Sequence, residues 1–321
     1  MSVRSIKRKL KENLFILFLW NEYRRIKGKK QIKKISDHEF VVDTYRRVFN
    51  RDINFQSPTR FTEKLQWLKL FYRDPAIEIC TDKYTAREYL SKMGYDCILN
   101  DLIGAYDSVD EICFDALPDR FVLKISNGSG WNIVCKDKST LNWKMYKMII
   151  KSWLKQNLYI YGREWNYSNL KPKIVIEKYI DNGDNQLTDY KFFCFNGRPQ
   201  FVQVDRDRFK EHKQAYYDME WKKIYLQTGN IPADEECPPM FEEMKKIAGE
   251  LSKPFPHVRI DFYNIGKEIY FGEFTYFDGS GFYNFDPDEM DFEWGDQLVL
   301  PEPNYNLELL SSLSLAKQNE E

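Results

Sequence analysis

The chain has 321 residues, 43% hydrophobic and 16% aromatic, enough for about two domains or one large composite one with a sizeable core. Its formal net charge of −1 argues against a nucleic-acid binder. That balance is uneven: residues 1–34 carry twelve Lys/Arg and two Glu, a balance of +10, so the rest carries 36 basic and 47 acidic residues, a balance of −11.

The basic leader holds one apolar run, Leu14 to Trp20 (LFILFLW). A membrane span needs about 20 such residues, and no small-residue cleavage site follows, which also argues against a signal peptide. As a helix it gathers Leu10, Leu14, Leu17 and Leu19 near Phe15, Phe18 and Trp20 between basic flanks. Two placements stay open: flat on an anionic membrane surface, or docked on the body with a solvated basic end.

Ser36 and Glu39 form a capping-box pair that predicts a helix to about Phe49. Pro58 and Thr59 open a second, carrying Phe61, Leu65, Leu68 and Phe71; Thr81 is expected to cap a third, which Gly94 ends. Cys97–Ile103 reads as a loose strand and Phe121–Ile125 (FVLKI) as a firm one, followed by the glycine-rich loop SNGSGWN. Residues 140–155 read as a helix capped by Thr140. From Lys173 the pattern turns to strands: IVIEKYI, then a YKFFCF/PQFVQV hairpin around Asn196–Gly197, a favoured type I′ pair. Pro238–Pro239 open a helix to about Leu251, and VRIDFY and EIYFGEFTYF make a second hairpin around Gly266. Helices mixed with antiparallel hairpins predict an α+β fold. There is no GxGxxG after a strand and no GKS/GKT, so neither a Rossmann site nor a P-loop is supported. Six cysteines without a CxxC pair and three isolated histidines give little support to zinc ligation or Cys/His nucleophilic catalysis; they read as scattered thiols in a reducing cytosol.

Chemistry concentrates in the second hairpin. Strand alternation puts Arg259 and Asp261 on one face and, on the partner strand, Glu273 and Thr275 on one face. Whether the two sets meet depends on the turn. An odd-length loop such as Ile265–Lys267 brings Asp261 and Glu273 within reach of one ion; a two-residue loop puts them on opposite faces. Two carboxylates and a hydroxyl suit Mg²⁺; ordinary strand charges are the competing reading. Lys124, on FVLKI beside Ser126, Gly128, Ser129 and Gly130, suits a triphosphate, with the lysine neutralising charge and loop N–H groups donating to its oxygens. Glu177, with Tyr179 and Ile180 after it, can accept the adenine amino hydrogen while backbone groups meet the ring edge.

In this order the segments TDKYTAREYLSKMGY, FVLKISNGSGWN, VIEKYI, DYKFFCFNGRPQFVQVDRDR, HVRIDFYN and YFGEFTYFDGSGFYNFDP resemble the ATP-grasp superfamily, and within it the TupA-like proteins of cell-surface polysaccharide and teichuronopeptide clusters. The resemblance covers roughly residues 60–297 and implies an ATP-grasp fold binding ATP and Mg²⁺. It implies that Lys83 and Lys124 hold phosphates, that residues 126–131 form a lid loop, that Glu177 and Ile180 flank adenine, and that Asp184 reaches the ribose. It further implies that Lys191 approaches the phosphates, Arg259 stabilises phosphoryl transfer, and Asp261 and Glu273 hold the metal. Thr275 stands where many relatives have asparagine, which puts a third ligand there in doubt. The implied domains are a basic segment 1–35, a helical region 36–115, a nucleotide and catalytic region 116–300, and a tail 301–321. The implied activity is an ADP-forming carboxylate–amine ligase that works through an acyl phosphate. Its substrates would be a glycan or sugar carboxylate and an amine such as an amino acid, with the enzyme in the cytoplasm or on the inner membrane face. Kinase and glycosyltransferase readings compete, the latter because Asp205-Arg206-Asp207 has the DxD form. The acceptor pocket is expected among loops 162–169 and 278–284.

Overall fold

The structure, a computed structural model, describes residues 13–183, 187–206, 212–226 and 231–318. In chain order it contains helices α1 (Leu14–Ile32), α2 (Asp37–Phe49), α3 (Phe61–Phe71), α4 (Pro75–Thr81) and α5 (Thr85–Lys92), then strands β1 (Leu102–Tyr106), β2 (Phe121–Ile125) and β3 (Asn132–Cys135). Helices α6 (Trp143–Trp153) and α7 (Tyr159–Gly162) precede strands β4 (Ile174–Lys178), β5 (Asp189–Phe195), β6 (Arg198–Arg206), β7 (Lys213–Asp218), β8 (Lys223–Ile224) and β9 (Ile231–Pro232). Helix α8 (Phe241–Ser252), strands β10 (His257–Ile265) and β11 (Glu268–Thr275), and helices α9 (Glu289–Gln297) and α10 (Leu307–Gln318) complete the chain. The chain forms two compact units. One comprises the described residues up to Ser36, Glu78–Gly94 and Asn100–Asp181; the other comprises Asp37–Ile77, Tyr95–Leu99 and the described residues from Asn182 on.

The first unit is built on an antiparallel sheet of order β1-β4-β2-β3. Along β2, Phe121, Leu123 and Ile125 are buried while Val122 and Lys124 are only half-buried, the period of two that one covered face demands. The covered face packs with Ile149, Ile150 and Trp153 of α6, and Leu14, Leu17 and Phe18 of α1 lie against the same core. Three boundaries differ from the sequence reading. Thr81 ends α4, and Asp82 caps the next helix: its Oδ1 accepts from the backbone N–H groups of Tyr84 and Thr85 at 2.9 and 3.2 Å. Helix α6 starts after Asn142, whose Oδ1 accepts from Met145 N, because Thr140 belongs to a separate 3-10 turn begun by Asp137. The strand expected at Cys97–Ile103 begins only at Leu102, since Asp96–Ile98 is itself a 3-10 turn. At both helix starts a short polar side chain competes for local backbone donors and shifts the boundary.

The second unit holds a larger sheet of order β11-β10-β5-β6-β7-β8, with β9 pairing β7. The β5–β6 hairpin closes through Asn196 and Gly197 with φ of +48° and +76°, the left-handed pair that a I′ turn requires. All seven residues of β5 are buried, so both sheet faces are covered there. On one face Phe192 stacks on Phe241 of α8 at 5.8 Å. On the other, Phe193 stacks on Phe201 at 4.5 Å and Phe201 on Trp294 of α9 at 3.7 Å. This second face changes character along the strands. It is aromatic at Phe195, Phe201 and His257, and polar two to four residues further on, at Lys191, Gln203, Arg259 and Asp261.

Candidate functional site

In the first unit, Lys124 and Glu177 lie on neighbouring strands with side chains on the face opposite the Leu123 core, where Glu177 is buried and Lys124 half-buried. Lys124 Nζ donates to Glu177 Oε2 at 2.7 Å and Arg87 Nη1 to Oε1 at 2.8 Å. Arg87 also donates to the Asn100 carbonyl at 2.6 Å, which fixes its guanidinium. Burial pushes the Glu177 carboxyl up, but Lys124, Arg87 and Lys83 outweigh it and hold the group below the usual carboxylate range. A carboxylate has about four lone-pair sites, so the two cations leave room for another donor. Tyr179 and Ile180 follow the end of β4 and are half-buried, with the Arg120 guanidinium 4.3 Å from the Tyr179 ring centroid.

The glycine-rich loop joins β2 to β3 and is tied down at its base. Ser126 is buried; its hydroxyl donates to Asp82 Oδ2 and accepts from Lys173 N at 2.9 Å, and its carbonyl accepts from Lys83 N at 2.9 Å. Lys83 Nζ donates to the Gly128 carbonyl at 2.7 Å. Ser129 and Gly130 at the tip are exposed. The loop is therefore an exposed tip on a fixed base, with two lysines and an arginine gathered beside it. Asp184 lies outside the described residues.

In the second unit, the turn between β10 and β11 is two residues, Gly266–Lys267, with Ile265 opposite Glu268. The odd-length loop expected from the sequence is not there. Regular pairing from this turn would set Glu273 opposite Ile260, on the face away from Asp261. A β-bulge at Gly272 adds one residue to β11 and restores the parity, so Asp261 faces Glu273 and Arg259 faces Thr275. Gly272 tolerates the approach because it has no Cβ; one built there would stand 3.0 Å from the Asp261 carbonyl oxygen.

Arg259 is the hub of this face. Its Nε and Nη2 donate to both Asp261 oxygens at 2.7 and 2.8 Å, Nη2 to Thr275 Oγ1 at 3.1 Å, and Nη1 to Asp278. Glu273 Oε1 lies 3.6 Å from Nη2. On β5, next to Asp261 in register, Lys191 Nζ sits 2.6 Å from Asp205 Oδ2 and 4.0 Å from Asp261 Oδ2. Asp205 is fully used: Gln203, His212 and Gln214 donate to it as well, and although burial pushes its carboxyl up, these bonds and Lys191 hold it well below the usual range. Burial has the opposite outcome at Asp261, whose carboxyl is pushed up to about 6 despite Arg259 and Lys191. Four carboxylates (Asp205, Asp261, Glu273, Asp278) surround two cations (Lys191, Arg259), an excess of two negative charges on one face. That excess suits a divalent cation. Among the described residues no three His, Cys, Asp or Glu side chains form a self-contained metal cage. Mg²⁺ needs none, because one or two carboxylates with substrate phosphates and waters complete its shell. Asp261 and Glu273 fit that demand.

Sequence reasoning missed Arg87 and the role of Asp278. Arg87 carries no motif signal, and only its reach to Glu177 reveals it. The sequence reading puts Asp278 in an acceptor loop, whereas it pairs with Arg259; Tyr283 of the same loop is buried at its hydroxyl end. The DxD triplet splits: Asp205 is spent on Lys191 and its neighbours, and Asp207 lies outside the described residues. All six cysteines are free thiols.

A model of the TupA-like ATP-grasp family matches residues 63–299. Among solved structures, D-alanine–D-alanine ligase from Bacillus anthracis is 20% identical, with 61% of this chain and 57% of that chain covered and a TM-score of 0.37. The Helicobacter pylori D-alanine–D-alanine ligase is 15% identical over 75% and 70%, with a TM-score of 0.39. The N5-carboxyaminoimidazole ribonucleotide synthetase from Thermus thermophilus is 10% identical over 67% and 51%, with a TM-score of 0.38. The chain thus spans between 55% and 57% of the length of the two Bacillus anthracis ligase structures it matches. No curated protein matches the sequence.

Proposed function

The chain belongs to the TupA-like ATP-grasp family, whose enzymes use ATP and Mg²⁺, and from that premise we propose that it is an ADP-forming carboxylate–amine ligase. The observation that carries the proposal is the β10–β11 face, where a bulge sets Glu273 opposite Asp261 with Arg259 and Lys191 beside them. Asp261 and Glu273 would hold Mg²⁺, which when bound neutralises phosphate oxygens. Arg259 would meet the charge that develops on the transferred phosphoryl group, and Lys191 would approach the same phosphates. In the first unit Lys83, Lys124 and the tip at Ser129–Gly130 would take phosphate oxygens, with Glu177, Tyr179 and Ile180 at the adenine. Ser126 would act from below, by fixing the loop. Thr275, bonded to Arg259, would orient that arginine rather than bind metal.

In the proposed reaction a substrate carboxylate oxygen attacks the γ-phosphorus and ADP leaves, giving an acyl phosphate. An amine nitrogen then attacks the carbonyl carbon, phosphate leaves with the bonding pair, and the amine proton passes to solvent. The protein contributes positioning and charge rather than a side-chain nucleophile, which accords with a sequence poor in histidine and in paired cysteine. The family's polysaccharide setting suggests a uronic acid or amino acid carboxylate on a surface glycan or its precursor as substrate, and the need for ATP suggests a cytoplasmic enzyme.

Hydroxylamine tests this chemistry. It is a small, strong nucleophile that converts an acyl phosphate into a stable hydroxamate and leaves a phosphate ester untouched. Incubation with Mg-ATP, uronic-acid glycans or amino acids, and hydroxylamine should yield hydroxamate together with ADP. Glu273→Gln should lower the yield at least about 100-fold without loss of fold, because Glu273 is partly exposed and its charge is not the only partner of Arg259. Stable phosphorylation of a hydroxyl with no hydroxamate would replace the ligase with a kinase.

A further inference from the structure

Seven apolar residues in succession, Leu14 to Trp20, travel almost twice around an α-helix. A helix that docks by one face must then leave the other face apolar as well. α1 does this. Leu14, Leu17 and Phe18 pack on the core of the first unit, and the Asn21 carbonyl accepts from Gln156 Nε2 at 2.9 Å. Gly28 approaches α7 so closely that a Cβ there would stand 2.7 Å from Ile160 Cδ1. On the outer side Phe15, Leu19, Trp20, Tyr23 and Ile26 are each between 50 and 54% exposed. Phe15, Leu19, Tyr23 and Ile26 recur at the spacing of one helical face. The same face continues as exposed Lys27 and Lys30, and exposed Lys34 follows just past the helix end.

Charge distinguishes among possible occupants of this stripe. Residues 13–34 hold seven Lys/Arg and one acid, Glu22. Glu22 is turned aside, accepting from Arg25 at 2.6 Å and from Ser152 at 2.7 Å, so the outer face is purely apolar and basic. A second copy of the chain would set these like charges against each other, and a neutral apolar partner would leave the lysines without counter-charges. An anionic lipid surface matches both halves: acyl boundary for the rings and aliphatic groups, phosphate headgroups for the lysines. Trp and Tyr favour that boundary. No described helix is long and apolar enough to cross a membrane, so contact is by lying rather than spanning.

We propose that α1 is a two-faced anchor: its inner face stays docked on the first unit while Phe15, Leu19, Trp20, Tyr23, Ile26, Lys27 and Lys30 seat it flat in an anionic lipid surface. The proposal does not depend on the ligase reading, because lipid binding is measured without turnover.

The test is flotation of the full chain with vesicles of phosphatidylcholine alone or with about 30 mol% phosphatidylglycerol, an anionic content chosen to match a basic helix. The protein should float with the anionic vesicles, more at low salt than at high, and far less with the neutral ones. Leu19→Ser with Ile26→Ser should abolish flotation. Lys27→Gln and Lys30→Gln should each weaken it roughly fivefold, and because these two side chains are exposed the variants retain the fold by circular dichroism. Tyr225→Ser, at another exposed aromatic position, should change nothing. Failure of the wild type to float on anionic vesicles at low salt overturns the proposal. So does equal flotation of the Lys27→Gln and Lys30→Gln variants, or a dimer in solution that Leu19→Ser with Ile26→Ser dissociates.

Discussion

Single side chains on the β5–β10 face owe their properties to what covers them. His257 is fully buried, with Phe61 and Phe195 rings at 5.3 and 5.5 Å, and pairs through Nδ1 with the Tyr276 carbonyl at 2.9 Å. That bond places the proton on Nδ1 and leaves Nε2 without a partner. Charging Nε2 in this aromatic cage is costly, and burial pushes the histidine down to about 4. Since the folded value lies below the ordinary 6.5, the contribution is fully present above about pH 6.5 and is lost as the pH falls toward 4. We expect urea unfolding to show a loss of about 2 kcal/mol from this group between about pH 7 and 5. A His257→Gln variant should show a correspondingly smaller acid loss. If wild type and variant lose the same stability over that interval, the histidine is not buried neutral. Residue types alone made Arg259, Asp261 and Glu273 candidates. They could not reveal that Asp205 holds Lys191, because the two sit on opposite strands of one hairpin and meet only through its register, which is shifted by an irregularity at Phe193–Cys194.

At the scale of the element, the way the extra residue Gly272 is accommodated decides whether the β10–β11 hairpin is a site. Its turn has the wrong parity, and the Gly272 bulge corrects it. In Gly272→Val the new side chain would press on the Asp261 carbonyl oxygen and Cβ, 3.0 and 3.2 Å away. Overpacking of this kind costs about 1–3 kcal/mol, and ATP turnover should fall with it as Glu273 is displaced. Deleting Gly272 is the informative partner. It removes the surplus residue while leaving Asp261 opposite Glu273, so it should retain turnover better than the valine variant. Turnover measured on both decides the matter: an active valine variant beside a dead deletion would mean that the bulge aligns nothing. The sequence pattern could not announce the bulge, since a strand glycine is equally consistent with regular pairing. Helix starts show the same limit. Asp82 and Asn142 displaced Thr81 and Thr140 as caps because neighbouring polar residues differ little in propensity, and these two accept from nearby backbone N–H groups.

For the whole molecule, α1, the described part of the leader, belongs to the fold. Leu14, Leu17 and Phe18 rest on the first unit's core, so removal of residues 1–34 should destabilise that unit by about 3 kcal/mol, counting roughly 1 kcal/mol for each half-buried apolar side chain. Thermal unfolding followed by circular dichroism reads this directly; an unchanged midpoint would mean that the helix contributes no packing. The sequence by itself determined most element types, both hairpins, the α+β class and the family, because these follow from local periodicity, turn chemistry and ordered motifs. It also determined that LFILFLW would be apolar all round. Only the tertiary structure decided which face of that helix docks, which strand face carries the charges, and which carboxylates face one another. Those outcomes depend on register and on contacts between residues far apart in the chain, where a shift of one position reverses every side chain.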